Sequence, residues 1–478
     1  MNTPFKLSVA AVALASSLSA YADGEAKNVI FFLGDGMGPV TVTASRIYKY
    51  GESGKLTMET LGRTARVKTY SLDAQTTDSA PSMGAYMTGV KSRNEVMSMD
   101  GNTFAQGAFA PTSFVVTTVT PNVTISSAVN NCPATGNGAA VPTLLEQSIA
   151  KNKATGVVTT ARLTHATPAI TYSHICNRNA EYDIARQAVP GGAGANAALG
   201  NGVDVLMGGD SRYWVPFNTT LPNKGRPDNR NLIDELKAKG YTYVKDLATL
   251  NAAPTAAGTK IIGLFDQALA QGHMSYELDR DPAVEPSLAQ MTTKAIDILS
   301  KNPNGYFLMV EGGRIDHALH STNAMRALAD TIAFDDAIKA ALSKVDLSNT
   351  LIVVTADHDH TMAFNGYSHL GNNILGKTTD YRTKNLAKDA DGKPFTTLVF
   401  GNGGAAAQRK DVRDDLTNVD TLNKDYYQEV GVMLGGVGSE THGGGDVMLF
   451  AKGAGSANFK GTIDNTKVYS LLKKAFGF

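Results

Sequence analysis

Short apolar runs that end in glycine or an acidic residue recur along the chain. The first, residues 28–33, reads Asn-Val-Ile-Phe-Phe-Leu and is followed directly by Gly34, Asp35 and Gly36. A run without polar alternation is typical of a strand that is buried on both faces of a parallel sheet. Six further short apolar runs lie at residues 156–160, 203–207, 305–310, 350–355, 395–400 and 446–450. Glycine or an acidic residue follows four of them within two positions, at 203–207, 305–310, 350–355 and 395–400.

Between these runs, apolar residues recur at three- and four-residue spacing, which is typical of helices with one buried face. Residues 141–151, 288–299 and 322–342 are examples. Strands that alternate with helices predict an α/β fold: a doubly wound, mainly parallel central sheet with helices on both faces and surface insertions. In such sheets ligands collect beyond the carboxyl ends of the strands. Asp35, Glu311 and Asp357 follow three of the apolar runs within two positions.

Two stretches do not follow the alternation. Residues 101–140 are essentially uncharged and rich in Ala, Gly, Thr, Ser and Asn, whereas residues 362–440 mix Gly, Asn, Lys and Asp around the run at 395–400. We expect both to be surface insertions in one large domain that spans residues 23–478, and the second is long enough to form a small subdomain.

The first 22 residues have the pattern of a secretory signal peptide. Lys6 precedes an apolar stretch, residues 7–18, and Ala20-Tyr21-Ala22 forms a small-residue cleavage pattern. A membrane anchor is the alternative, but the stretch is shorter than the roughly 20 residues that a bilayer span needs. We therefore expect a periplasmic or secreted protein that has no membrane span after the signal is removed.

Composition narrows the classes of partner. The 478 residues include 44 basic and 44 acidic side chains, and this balance gives no basic surface for nucleic acid. The apolar fraction of 42% is that of a globular protein. Cys132 and Cys176 are the two cysteines. In an exported protein they favour one disulfide, with two separate buried thiols as the alternative.

Several acidic residues and histidines have the spacing of metal ligands. Asp316 and His320 stand four residues apart, so a helix would place both on one face. Carboxylate and imidazole are donors that zinc accepts, although a solvated polar face is the alternative for an isolated pair. The remaining candidates lie beside predicted strand ends or glycines: Asp35, Glu311, Asp357, His358, His360, Glu440 and His442. So many candidates at strand ends predict a metal centre.

Ser79 is a candidate nucleophile. Pro81 favours the first turn of a helix, which places Ser79 at the helix N-terminus. Free N–H groups and the helix dipole stabilise an anion there. A plain helix cap is the alternative for a serine at this position.

Taken together, these motifs resemble the alkaline phosphatase family. The resemblance runs in order over nearly the whole mature chain, from Asp35 to about Gly453. It implies a hydrolase that acts on small-molecule phosphate monoesters and forms a homodimer, with a small crown-like subdomain as the second insertion. The matching segments are residues 34–38, 77–80, 88–91, 165–168, 177–179, 310–317, 355–358 and 441–444.

The resemblance also implies roles for individual residues. His165 and His317 occupy positions that vary within the family, and histidine at both is similar to the animal and some marine bacterial enzymes, which leaves the identity of the third ion open. His360 is expected to contact the ligands without binding an ion. Two zinc ions and one magnesium ion per subunit are implied, with Asp316, His320 and His442 on the first zinc, Asp35, Asp357 and His358 on the second, and Asp35, Thr167 and Glu311 on the magnesium.

The implied reaction transfers the phosphoryl group to Ser79 and then to water. Arg178 matches the phosphate-binding arginine of the family, and its planar guanidinium suits two phosphate oxygens. Pro81 and Met83 depart from the small residues that the family usually has after Asp-Ser-Ala. The alternatives are a phosphodiesterase or a sulfatase of the same superfamily, and a protein that binds metal or phosphate without catalysis.

Overall fold

The computed structural model describes most of the 478 residues. The predicted signal peptide and Cys132 lie outside the described residues. The described ranges are 25–105, 112–127, 137–219, 225–265, 272–404, 413–434 and 438–478.

The strands of the described ranges fall into one large sheet and three small ones. In chain order they are β1 (Asn28–Gly34), β2 (Arg63–Lys68), β3 (Thr112–Val116), β4 (Val123–Ser127), β5 (Ala154–Arg162), β6 (Val205–Gly209), β7 (Tyr241–Val244), β8 (Lys260–Phe265), β9 (Tyr306–Gly312), β10 (Thr350–Ala356), β11 (Asp359–His360), β12 (Met362–Phe364), β13 (Leu398–Gly403), β14 (Val430–Met433), β15 (His442–Gly443), β16 (Val447–Gly453) and β17 (Gly461–Asp464).

The helices lie between the strands, as the spacing predicts. α8 has the predicted bounds, and α10 begins two residues later than predicted. In chain order they are α1 (Pro39–Tyr50), α2 (Ser79–Thr88), α3 (Leu144–Ala150), α4 (Ala166–Ala169), α5 (Glu181–Gln187), α6 (Leu232–Ala238), α7 (Leu247–Ala252), α8 (Leu288–Leu299), α9 (Arg314–His320), α10 (Ala324–Lys344) and α11 (Asn465–Phe476).

The central sheet has ten strands in the order β17-β2-β16-β10-β1-β9-β5-β6-β8-β7. All neighbours pair in parallel except β16, which is antiparallel to both β10 and β2. The α/β class with a mainly parallel sheet is therefore confirmed. β1 occupies the middle, and the side chains of its residues 29–34 are buried, as its apolar sequence predicts.

Six of the seven predicted strands lie in the central sheet, and the seventh lies in the stretch that we expected to be the second insertion. Four strands of the central sheet were not predicted. The run at 395–400 lies outside the central sheet: its strand, β13, pairs with β12 and β14 in a three-stranded sheet. β2, β7, β8 and β17 were not predicted. β2 alternates buried and exposed positions and carries three basic residues, so it has no continuous apolar run to recognise.

The two predicted insertions contain small sheets of their own. β3 and β4 form a two-stranded antiparallel sheet within residues 101–140. The β12-β13-β14 sheet lies within residues 362–440. Neither sheet is joined to the central ten strands. The assignment of the second stretch as a subdomain stays a prediction.

Within the described ranges, no helix combines the length and the apolar character that crossing a bilayer requires.

Candidate active site

Asp35, Asp357 and His358, which we name the second group, lie at the carboxyl ends of β1 and β10. Gly34 pairs with Ala356 in the sheet, so Asp35 and Asp357 leave neighbouring strands side by side. His358 Nε2 is 3.2 Å from Asp35 Oδ1 and 3.6 Å from Asp357 Oδ2. All three side chains of the group are fully buried.

Ser79 is the first residue of α2 and faces the second group. Its Oγ lies 3.1 Å from His358 Nε2, and the residue is buried. Asp78 precedes the helix in an extended conformation. The hydroxyl therefore sits where the helix N-terminus favours negative charge, and beside three predicted metal ligands.

Pro81 and Met83, the two departures from the family pattern, pack into the core beneath Ser79. Every residue of α2 is buried. Ser82 Oγ donates a hydrogen bond of 2.7 Å to the Asp357 carbonyl, and the Tyr86 hydroxyl donates one of 2.8 Å to the Ala356 carbonyl. These bonds tie the helix that carries Ser79 to the end of β10.

Asp316, His320 and His442, which we name the first group, converge from α9 and β15. Asp316 and His320 share one face of α9, with Asp316 Oδ1 3.2 Å from His320 Nε2. His442 Nε2 is 3.1 Å from His320 Nε2 and 3.6 Å from Asp316 Oδ1. Residues separated by more than a hundred positions thus point their ligand atoms at one small volume.

The first and second groups are neighbours. The rings of His358 and His442 stack with a centroid separation of 3.4 Å and an interplanar angle of 12°. His358 Nε2 also lies 3.9 Å from Asp316 Oδ1. The structure therefore brings all six predicted zinc ligands into one cluster, which Ser79 contacts through His358.

Thr167 and Glu311 also lie near Asp35, and we name these three residues the third group. The Thr167 hydroxyl is 3.4 Å from Asp35 Oδ2, and the Thr159 hydroxyl donates to Glu311. His165 offers a ring nitrogen within 4.8 Å of ligand oxygens from Asp35 and Glu311. Its presence adds an imidazole to the oxygen donors of this group.

The carboxylates of the second and third groups lack the partners that burial demands. Asp35 Oδ1, Asp357 Oδ2 and Glu311 Oε1 are buried and accept no hydrogen bond from the described residues. Burial and the charge of Asp35 raise the pKa of Asp357 to about 8, and burial together with the charge of Asp357 raises the pKa of Glu311 to about 8. Divalent cations would satisfy these oxygens and compensate their charge, so the donor set fits metal ions.

Arg178 lies close to the nucleophile. Its guanidinium forms an ion pair with the Asp78 carboxylate, and its Nη2 is 3.3 Å from His165 Nε2. Asp78 also accepts a hydrogen bond of 2.7 Å from the Glu95 backbone N–H. Asp78 thus fixes the arginine beside Ser79, a contact that the sequence motif does not reveal.

Comparison with known proteins decides the family. The family model described as alkaline phosphatase matches residues 26–478. An alkaline phosphatase of Gadus morhua is 36% identical over 467 residues, covering 92% of this chain and 89% of the relative. A tissue-nonspecific alkaline phosphatase of Rattus norvegicus is 36% identical over 453 residues, covering 90% and 79%. The chain belongs to the alkaline phosphatase family.

Solved alkaline phosphatases share the fold. The enzyme of Thermus thermophilus aligns with a TM-score of 0.65 at 23% identity, covering 95% of this chain and 92% of that one. The alkaline phosphatase of the Antarctic bacterium TAB5 aligns with a TM-score of 0.63 at 22% identity, covering 95% and 99%. The resemblance proposed from the motifs is therefore confirmed at the level of family and fold.

His360 lies between two carboxylates. Its Nε2 is 2.8 Å from Asp316 Oδ1, and its Nδ1 is 2.5 Å from Glu440 Oε2. Burial lowers the pKa of the imidazole, but the charges of Glu440 and Asp316 outweigh burial and raise the pKa to about 10. His360 therefore contacts a predicted ligand of the first group, as the family resemblance implies.

A third histidine joins His165 and His317 beside the third group. The ring centroid of His273 lies 4.1 Å from that of His317 and 5.8 Å from that of His165. Its Nδ1 accepts a hydrogen bond of 3.0 Å from the Arg162 backbone N–H. His273 stands alone in a glycine- and glutamine-rich stretch of the sequence, so no motif marked it.

The predicted disulfide cannot be followed in the described part of the chain, because Cys132 lies outside it. Cys176 is fully buried, two residues before Arg178. The bridge between these cysteines stays a prediction.

Proposed function

We propose that this chain hydrolyses phosphate monoesters through a phosphoserine formed on Ser79. The observation that carries the proposal is the position of the Ser79 hydroxyl, buried at a helix N-terminus and 3.1 Å from His358 Nε2. Arg178 stands on the same side, held by Asp78. A nucleophile, a phosphate-binding cation and a set of unpartnered carboxylate oxygens thus meet in one place.

We propose that the first and second groups each hold a zinc ion and that the third group holds magnesium. The nitrogen and oxygen donors of the first two groups suit zinc, and the oxygen donors of the third suit magnesium. His165 beside the third group weakens the preference for magnesium there. When bound, such ions lower the pKa of coordinated hydroxyl groups and neutralise charge on a phosphoryl group in transfer.

The side chains of the chain itself supply position and orientation. Ser79 Oγ attacks phosphorus in line with the leaving alkoxide, and the N-terminal amides of α2 favour the developing negative charge. The guanidinium of Arg178 binds two non-reacting phosphate oxygens and keeps the phosphorus opposite Ser79. Water then attacks the phosphoserine from the vacated side, releasing inorganic phosphate and restoring the hydroxyl.

A panel of p-nitrophenyl esters tests the substrate class. The wild-type chain with zinc and magnesium should turn over the phosphate monoester far faster than the bis-ester or the sulfate. The monoester dianion offers three free oxygens and two negative charges to Arg178 and the cations, whereas the bis-ester has two free oxygens and a single charge, and the sulfate also has a single charge. Arg178→Ala should lower kcat/KM for the monoester by about 10²- to 10³-fold and for the diester by much less. The measurement is initial rate against substrate concentration for each ester.

Arg186→Ala is the matched control. Arg186 lies on α5, half-exposed and paired with Asp183, so its loss should leave both rates unchanged. Negligible monoester turnover by the wild-type chain would refute the proposed function. A diester rate above the monoester rate would instead support a phosphodiesterase.

We also propose that the chain is a homodimer that associates through residues 364–370. We name the three exposed apolar side chains of this segment, Phe364, Tyr367 and Leu370, the apolar patch. Tyr367 is 85% exposed and Leu370 is 82% exposed, the largest values among the large apolar side chains of the described residues. A cluster of this kind is typical of a surface that another molecule covers, and the homodimer of the family resemblance provides the second copy.

Replacing Tyr367 and Leu370 together with serine should convert the dimer to monomer, because the double change removes most of the apolar area of the patch. Sedimentation velocity measures the change as a drop from twice the chain mass to the chain mass. Leu422→Ser, at another exposed apolar residue outside the patch, is the control and should stay dimeric. A double variant that remains dimeric would place the interface elsewhere.

We propose that the protein is exported and that it hydrolyses its substrates in the periplasm or outside the cell. The support is the pattern of residues 1–22, with Lys6 before an apolar stretch and a small-residue cleavage site. Periplasmic and secreted locations both follow from that pattern.

A further inference from the structure

Glu440 is fully buried, and every one of its polar atoms has a partner in His320, His360 or Thr361. Its Oε2 accepts from His360 Nδ1 at 2.5 Å, and its Oε1 accepts from the Thr361 backbone N–H at 2.8 Å. Its backbone carbonyl accepts from His320 Nδ1 at 2.5 Å, and its backbone N–H donates to the His320 carbonyl at 2.9 Å. Glu440 therefore contacts both histidines that have a ring nitrogen within 3.2 Å of Asp316 Oδ1, His320 and His360.

Glu440 reaches two predicted ligands by different contacts. We name its carboxylate contact, which leads to Asp316, the carboxylate arm, and its backbone contact, which leads to His320, the carbonyl arm. The carboxylate arm runs through His360, whose Nε2 donates to Asp316 Oδ1 at 2.8 Å. The carbonyl arm fixes the ring of His320, because His320 Nδ1 is its donor and His320 Nε2 then faces Asp316 and His442. Which nitrogen of His320 points at the site is thereby determined by the backbone of Glu440.

We infer that Glu440 is a positioning residue for the first metal: its carboxylate orients Asp316 through His360, and its carbonyl orients His320 directly. This inference rests on the proposed metal centre. Glu440 touches neither Ser79 nor Arg178 within the described contacts, so it acts through other side chains. Supporting groups of this kind typically change metal affinity by about 10- to 100-fold when they are removed.

The carboxylate arm can be removed without disturbing the carbonyl arm. Glu440→Ala takes away the acceptor of His360 and leaves that imidazole free to turn from Asp316, while the backbone bond to His320 stays. The first group should then bind zinc about 10- to 100-fold more weakly. The second group, whose residues Glu440 does not contact, should keep its affinity.

The chain offers a closely matched control in Glu146. This glutamate is also buried and also accepts from an imidazole, with Oε1 2.7 Å from His174 Nε2. It lies on α3, and its other partners are Asn196 and Thr143, none of which is a predicted ligand. Glu146→Ala should lower the stability of the protein and leave its zinc affinity unchanged.

The experiment measures zinc binding directly. Metal-stripped full-length wild type, Glu440→Ala, Glu146→Ala, His360→Ala and the Glu440→Ala/His360→Ala double variant compete for zinc with a chromogenic chelator. We expect one of two zinc sites to weaken in Glu440→Ala and in His360→Ala. The double variant should lose little more than either single change, because both act on Asp316 through one path. Saturating zinc should restore much of the lost turnover.

Unchanged zinc affinity in Glu440→Ala, an equal loss in Glu146→Ala, or fully additive losses in the double variant would each overturn the inference. If Glu440→Ala does not fold, Glu440→Gln keeps the volume and the bond from Thr361 but removes the charge that faces His360. A folded Glu440→Gln with wild-type affinity would overturn the inference equally. A wild-type chain that binds no zinc would refute the proposed metal centre itself. That outcome is distinguishable from a failure of the Glu440 inference, in which the wild-type chain still binds zinc.

Discussion

Replacing Ser79 with alanine is expected to lower kcat/KM for p-nitrophenyl phosphate by about 10⁴-fold or more, since removing a nucleophile leaves only the residual effect of binding and electrostatics. The side chain is small and buried at the start of α2, so its loss changes little else. Zinc content should remain near that of the wild type. Initial rates and metal analysis on the same preparation measure both quantities.

Ser148→Ala is the control for this substitution. Ser148 is also a buried serine in a helix, where its hydroxyl donates to the Leu144 carbonyl at 2.8 Å. It should retain full turnover and lose at most about 1 kcal/mol of stability. Full activity in Ser79→Ala would show that another group is the nucleophile. Intact-mass measurement after a brief acid quench should show a phosphorylated wild type and an unmodified Ser79→Ala.

Removing metal with a chelator is expected to abolish turnover and to make the stability of the protein fall as pH rises. Without a cation, the pKa values of Asp357 and Glu311 are about 8, above their ordinary values. At pH values between the ordinary pKa of these two carboxyl groups and about 8, the folded state therefore binds more protons than the unfolded state. The free energy of unfolding of the stripped protein should therefore decrease from about pH 6.5 to about pH 8.

Adding zinc and magnesium should restore turnover and reduce this slope, because cations keep both carboxylates ionised in the folded state. Chemical denaturation at a series of pH values, with and without metal, measures the effect. Asp357→Asn should reduce the slope in part even without metal, because it removes one of the two carboxyl groups whose pKa is raised. A stripped protein whose stability rises across this range would contradict the electrostatic description of the site.

The sequence predicted the central strands of the sheet better than its edges. Asp35, Asp357 and Glu311 could be found because each lies in or directly beyond a continuous apolar run, and such runs belong to the central strands. β2 and β17 lie at one edge, where half-exposed strands need no such run. Periodicity therefore recognised the buried middle of the sheet and missed the half-exposed strands β2 and β17. It also missed β8, although that strand is apolar and buried.

Contacts between segments that lie far apart in the sequence could not be predicted either. Asp78 belongs to the nucleophile motif, yet its ion pair with Arg178 joins positions a hundred residues apart. Glu440 and His360 are eighty positions apart. His273 is separated from His317 by more than forty positions, although the two rings lie against each other in space. Spacing along a chain indicates which residues share a helix face, but it carries no information on pairs that only the tertiary fold creates.

The complete burial of α2 has a consequence for anyone who wishes to alter what the enzyme accepts. With all ten residues of the helix enclosed, and its first turns bonded to the end of β10, a substitution there disturbs the core before it reaches an incoming molecule. Libraries directed at exposed residues of the second insertion, such as Tyr381 and Leu386, should yield far more folded variants than libraries directed at residues 79–88. In this chain the helix residues that follow the nucleophile should therefore tolerate substitution less well than exposed residues of the insertion.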